Sequence, residues 1–211
     1  MTHPFITKLI FVELKELNNM PNWCSTTYKC VGDLKEVKSL HKILKYIDKR
    51  KTTVLKNGFG KWWLGNLVHK LGGDWEKYRC RGEIMDYSLD GNVLTIYQET
   101  AWCEQEGVRR IIEEKFPSIK VYFIEEEPGC GVFCKNDASG EFFPECFYLD
   151  SYEDSEYFET IEGAAKSVSE IVCHEVEASV KSINEALDAY VAEHEKEPGV
   201  FYSFHEFTVI D

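Results

Sequence analysis

The 211-residue chain has no apolar run approaching the ~20 residues that cross a bilayer. Its one short candidate, Leu9-Ile10-Phe11-Val12, is followed at once by Glu13, Lys15 and Glu16. That is too short for the apolar core of about 7–15 residues in a signal peptide. We therefore expect no export signal, no membrane partner and a cytoplasmic protein. No repeat of solenoid period and no low-complexity tract is present, which argues against a stacked-repeat architecture. The sequence also lacks a P-loop, a G-x-S-x-G elbow, an H-E-x-x-H pair and a dinucleotide-binding fingerprint. No cofactor and no catalytic residue is expected on that basis. Finally, Lys and Arg are missing from residues 136–165, a stretch with nine Asp and Glu. Such a stretch repels phosphate backbones and suits either a solvated face or a basic partner.

What is present describes a packed domain. Apolar residues make up 44% of the chain and aromatic residues 14%, enough for a substantial core. Eight cysteines lie at positions 24, 30, 80, 103, 130, 134, 146 and 173. With no route to an oxidising compartment, we expect reduced thiols that behave as small apolar side chains. The net charge of −13 is unevenly spread. Residues 1–90 hold 16 Lys/Arg against 10 Asp/Glu, and residues 91–211 hold 8 against 27.

Along the chain, residues 1–19 read as an extension ending in Asn18-Asn19. Residues 23–31 form a Thr-, Tyr- and Val-rich strand. Leu34, Val37, Leu40, Leu44 and Ile47 recur at helical spacing through residue 49. Residues 62–71 make a second, shorter helix closed by Gly72-Gly73. Strands over 82–89 and 92–100 flank Asp90-Gly91, a hairpin signal. A helix over 104–116 stops at Pro117, and 119–124 is the next strand. The order strand, helix, strand, strand, helix, strand is that of a ferredoxin-like α+β fold, with one helix inserted. Beyond Pro128-Gly129 the pattern predicts an extra hairpin, 131–135 and 142–149, joined by a turn over 136–140. A long amphipathic helix over 159–194, with Val168, Val176, Ile183 and Leu187 on its stripe, should pack on the core. We expect it to cover the sheet face left open. A strand over 201–210 ends the chain. The expected division is an extension (1–19), a ferredoxin-like domain (20–150) and a C-terminal helix and strand on the same body (151–211).

Several short segments occur in a distinctive order: Met20-Pro21-Asn22-Trp23-Cys24, Gly72-Gly73-Asp74-Trp75, Glu99-Thr100-Ala101-Trp102, Phe116-Pro117 and Glu126-Glu127-Pro128-Gly129. This order resembles the YubB-type ferredoxin-like family of phage, plasmid and other bacterial mobile-element proteins, over residues 20–150. The resemblance implies a ferredoxin-like fold and a start equivalent to Met20, and it implies no activity. The chain departs from the family pattern after Trp102, where Cys103-Glu104-Gln105 replaces a proline-containing turn.

Four constellations bear on function. Asn22, Trp23, Trp75 and Trp102 belong to the family motifs, and the tryptophans suit either a ligand pocket or a cluster closing one end of the core. Seven Lys/Arg against one acid lie in residues 42–61, followed by Trp62-Trp63. Lys49, Arg50, Lys51, Lys61 and Trp62 thus make a candidate surface for single-stranded nucleic acid, or a helix's solvated face. Cys130 and Cys134, with Cys146 beyond, match a metal knuckle poorly, and no metal is expected. Cys103 lies near a helix N-terminus, which favours a reactive thiolate, although a buried thiol is inert. The leading expectation is a non-catalytic accessory protein of a mobile element. It binds an unidentified protein through an acidic surface that includes Glu153, Asp154, Glu156 and Glu159.

Overall fold

The computed structural model describes residues 22–152, 155–195, 197 and 199–210. The expected extension over 1–19, and the Met20-Pro21 start of the first motif, lie outside the described residues. Within them the chain is an α+β protein with five helices and nine strands in two sheets.

The first half follows the alternation of its apolar residues. Strand β1 (Trp23–Val31) buries its even-numbered side chains, Cys24 to Cys30, on one face. Helix α1 (Leu34–Lys49) sets Val37, Leu40, Leu44 and Ile47 against that face. Helix α2 (Leu64–Leu71) ends at Gly72, whose φ of 92° is left-handed, a conformation glycine adopts without a steric penalty. Strands β2 (Gly82–Asp90) and β3 (Val93–Ala101) form a hairpin, with an irregular register between Ile84 and Asp86. Helix α3 (Glu106–Lys115) then leads to β4 (Lys120–Glu127). The strand order is β2-β3-β1-β4, every neighbour antiparallel, and Ser25 pairs with both Glu99 and Glu126. All three helices lie on the even-numbered face of β1, where they share one apolar cluster with Tyr28, Leu94, Ile96 and Phe123. Full burial of each large aliphatic side chain there contributes roughly 1.5–3 kcal/mol.

The second half departs from the expected pattern in three places. Strands β5 (Val132–Lys135) and β6 (Phe147–Ser151) do not form a hairpin. β5 pairs with β4, whereas β6 is the centre of a separate sheet of order β7-β6-β8, with β7 at Glu156–Phe158 and β8 at Tyr202–Glu206. Eleven intervening residues let the chain leave one sheet and enter another. The expected long helix is two helices, α4 (Ile161–Val172) and α5 (Val180–Glu193). Its apolar stripe is continuous, but Cys173 adopts a left-handed φ of 58°. Ser179 then caps a new start, its Oγ accepting the Ser182 N–H at 3.1 Å. Local capping thus overrides a period that spans the break. The two helices do not join the first core. They pack with Leu149 and Phe204 in a second cluster on the small sheet. The final strand also splits: at Phe207 the chain passes from β8 to β9 (Thr208–Val209), which pairs in parallel with β5. Phe133, Tyr148 and Phe207 form a third small cluster, packed against Ile124, that joins the two sheets.

Candidate functional site

The face of the large sheet opposite the helices carries Trp23, Ser25, Thr27 and Lys29 of β1, none of them buried. It is walled on the β4 side by residues 142–146 and by β7. Two buried ionic side chains hold that wall in place. Lys135 donates from Nζ to the carbonyls of Phe143 at 2.8 Å and Glu145 at 2.7 Å. The carboxylate of Asp137 accepts the N–H groups of Phe142 at 2.6 Å and Phe143 at 2.9 Å, and the Ser139 hydroxyl at 2.7 Å. The Phe142 ring then lies 4.6 Å from that of Tyr122. The result is a cleft of about 300 Å³ between sheet and wall, bounded by Ser25, Thr27, Tyr97, Glu126, Phe142 and Tyr157, with Glu145 and Lys29 also facing it.

The cleft is acidic beside Tyr157. The Tyr157 hydroxyl donates to Glu126 Oε1 at 2.9 Å and Oε2 at 2.8 Å. Burial raises the Glu126 carboxyl above its usual range, the Tyr157 hydrogen bond opposes that, and the Asp150 charge adds to it. The Tyr157 phenol is also raised, by burial first and then by its bond to Glu126, with the Glu145 charge contributing. Glu145 Oε2 is buried and has no hydrogen-bond partner. Among the described residues no ion pair reaches Glu126, Glu145 or Asp150. Lys29 lies four residues along β1 from Ser25, roughly 13 Å away, whereas Glu126 is directly opposite Ser25. Carboxylates beside aromatic faces suit a cation carried on an apolar stem.

The residues singled out in the sequence are distributed as follows. Glu153 and Asp154 lie outside the described residues. Glu156 and Glu159 are exposed, and Glu156 accepts the Ser167 hydroxyl at 2.7 Å. Lys49 and Lys51 are exposed, but two other cations of that group serve their own chain. Lys61 donates to the Asp48 carbonyl at 2.8 Å, and Arg50 lies 5.4 Å from the Tyr46 ring centre while bonding to the Thr52 and Thr53 carbonyls. Trp62 is half-buried beneath Lys61. Trp75 packs edge-on against Trp63 with ring centres 5.2 Å apart, while Trp23 and Trp102 stand 49% and 45% exposed. The three motif tryptophans make no ring contact with one another. Trp102 has a left-handed φ of 74°, costly for a bulky residue, and its N–H donates to the Asn22 carbonyl at 2.9 Å. Asn22 in turn donates to the Cys130 thiol at 3.0 Å.

A buried polar network sits behind this end of the sheet. Tyr28 donates to Glu104, Arg109 pairs with Glu104 at 3.2 Å, and Glu125 accepts the Glu104 N–H and the Cys24 thiol. Burial pushes the Cys24 thiol up to about 12. Cys103 is raised too, by burial first, against the opposing charge of Arg79. The thiol expected to gain acidity from a helix N-terminus is therefore held protonated. All eight cysteines are unpaired. No group of three or more His, Cys, Asp or Glu among the described residues is arranged to hold a metal ion. No helix among them is long and apolar enough to cross a membrane. No family model, curated protein or solved structure matches the chain.

Proposed function

We propose that the protein binds a basic segment of another protein, docking one of its Lys or Arg side chains in the cleft between the open sheet face and the wall formed by residues 142–146 and β7. The observation that carries this reading is the buried, unpartnered Glu145 Oε2 beside the Glu126–Tyr157 pair. A buried carboxylate oxygen without a donor is costly, and an incoming ammonium or guanidinium supplies one. The raised thiols at Cys24 and Cys103 favour binding over cysteine chemistry. The order β2-β3-β1-β4 with helices on one face supports a ferredoxin-like reading of the first half, the fold implied by the YubB-type resemblance. An accessory role in a mobile element belongs to the same proposal.

The test uses a fluorescein-labelled peptide of alternating Lys and Ser, titrated into the full chain. Glu126→Gln with Glu145→Gln should weaken binding by roughly tenfold or more. Exchanging Glu156 and Glu159 for Ser should mainly slow association, because exposed charges steer the encounter. Unchanged affinity in both variants would sink the proposal.

A further inference from the structure

We infer that a second concavity, at the end of the large sheet where β1 begins, binds single-stranded nucleic acid, seating one base among aromatic rings and placing phosphate at Arg79 and Arg81. This concavity shares no lining residue with the acidic cleft and does not depend on it.

The concavity is about 690 Å³ and is walled by Trp23, Phe59, Trp63, Trp75 and Tyr78, with the exposed Arg79 and Arg81 on its margin. Its floor is rigid. Trp63 bridges to Glu83 of β2, and the Ile84 N–H donates to the Trp62 carbonyl at 2.9 Å. The Trp63 ring lies over Gly65, where a Cβ would come within 2.2 Å of it, so only glycine admits that packing. Phe59 stacks on Trp63 with ring centres 4.5 Å apart and planes at 27°, and remains 52% exposed. A half-exposed ring on a fixed aromatic floor is a stacking platform for a planar base.

Charge selects the partner. Residues 42–81, which include most of the wall, hold 11 Lys/Arg against three Asp/Glu in a chain whose net charge is −13. The surplus of eight positive charges lies along that segment rather than in the concavity, whose charged lining is Arg79 and Arg81 with Glu76 and Glu83, and it favours approach of a polyanion. Glu76 and Glu83 also face the concavity. They are placed to accept from the exocyclic amino groups of a base rather than to meet phosphate. A strand fits better than a lone nucleotide because the rings continue. Trp23 also borders a concavity of about 350 Å³ on the open sheet face, shared with Met85 and the 44% exposed Tyr97. Successive bases can therefore follow Phe59 and Trp23 as far as Tyr97, where the path meets the edge of the acidic cleft.

The probe is a fluorescein-labelled 12-nucleotide single strand of mixed sequence, titrated into the full chain at 50 and 200 mM salt. Phe59→Ala should weaken binding about tenfold, whereas Phe59→Trp should retain it. Arg79→Ala with Arg81→Ala should reduce the salt slope by about 1.4, the loss of two phosphate contacts. These three side chains are exposed, so unchanged circular dichroism is expected and separates lost binding from lost folding. The inference is overturned by absent binding at 50 mM salt, by full affinity in Phe59→Ala, by a duplex that binds as tightly, or by AMP competing as well per base as the oligonucleotide.

Discussion

The half of this molecule through β4, nearly balanced in charge with 20 Lys/Arg against 18 Asp/Glu over residues 1–127, and the acidic half beyond it, with 4 against 19, bury their apolar residues differently. Among the described residues the first half places 22 in one cluster beneath the large sheet, whereas the second places eight between the small sheet and two helices. Three more, Phe133, Tyr148 and Phe207, connect them. The first half therefore supports a rigid floor such as Trp63 on Gly65. The second relies on buried ions, Lys135 and Asp137, to hold residues 142–146 over the sheet. The first half builds an aromatic concavity bordered by Arg79 and Arg81, and the second half closes a carboxylate-lined cleft against the first half's open sheet face. The comparison teaches that a single net charge conceals two surfaces with opposite preferences.

The largest expected effect tests whether the two cores are separable. Leu44→Ala in the large cluster should cost about 2–5 kcal/mol and lower hydrogen-exchange protection throughout both sheets. Leu187→Ala in the small cluster should raise exchange in β6, β8 and α5 while the protection of β1 and β3 holds. Equal loss everywhere in both variants would show one cooperative unit. Next, Asp137→Ala should cost about 1–3 kcal/mol in urea unfolding at neutral pH, since it strands the buried N–H of Phe143 and the part-buried N–H of Phe142. Burial opposes the Asp137 charge, but bonds from Ser139, Phe142 and Phe143 outweigh it, and its carboxyl is lowered. A lowered carboxyl stabilises the fold above its unfolded value of about 3.9, and that contribution is lost as pH falls through the folded value. The gap between variant and parent should therefore close in acid.

The smallest effect has the opposite sign. The Glu126 carboxyl is raised, chiefly by burial, so the folded state holds its proton more tightly than the unfolded state does. Its stabilisation is present at low pH and is lost as pH rises through the raised value. Glu126→Gln mimics the protonated form and should leave stability unchanged in acid, while adding about 1 kcal/mol or less near pH 7. The same substitution weakens the Lys peptide, so stability and binding should move in opposite directions at this one residue.

Strand β1 was legible to the residue, because its alternation of Thr, Tyr and Val has one buried register. The helices beginning at Leu34 and Glu106 were legible within two residues, for the same periodic reason. The break at Cys173 was not, since residues on both sides keep the helical stripe and only a left-handed residue with a serine cap ends it. The nucleic-acid reading centred on Lys49, Arg50, Lys51, Lys61 and Trp62 because they are adjacent in sequence. It missed Phe59, Arg79 and Arg81, which join Trp23 only through folding. A count of charge extended to residue 81 was the available signal. The cleft left a fainter trace, as nothing local pairs Glu126 with Tyr157.

The sequence by itself determined the α+β class, the first six elements and the charge asymmetry, because these depend on composition and on periods of 2 and 3.6 residues. Only the tertiary structure decided that the chain beyond β5 leaves the large sheet to build another, and which carboxylates and rings face one another. Those outcomes rest on long-range pairing, β4 with β5 and β6 with β8, and on two buried ions whose partners are backbone groups that no side-chain pattern records.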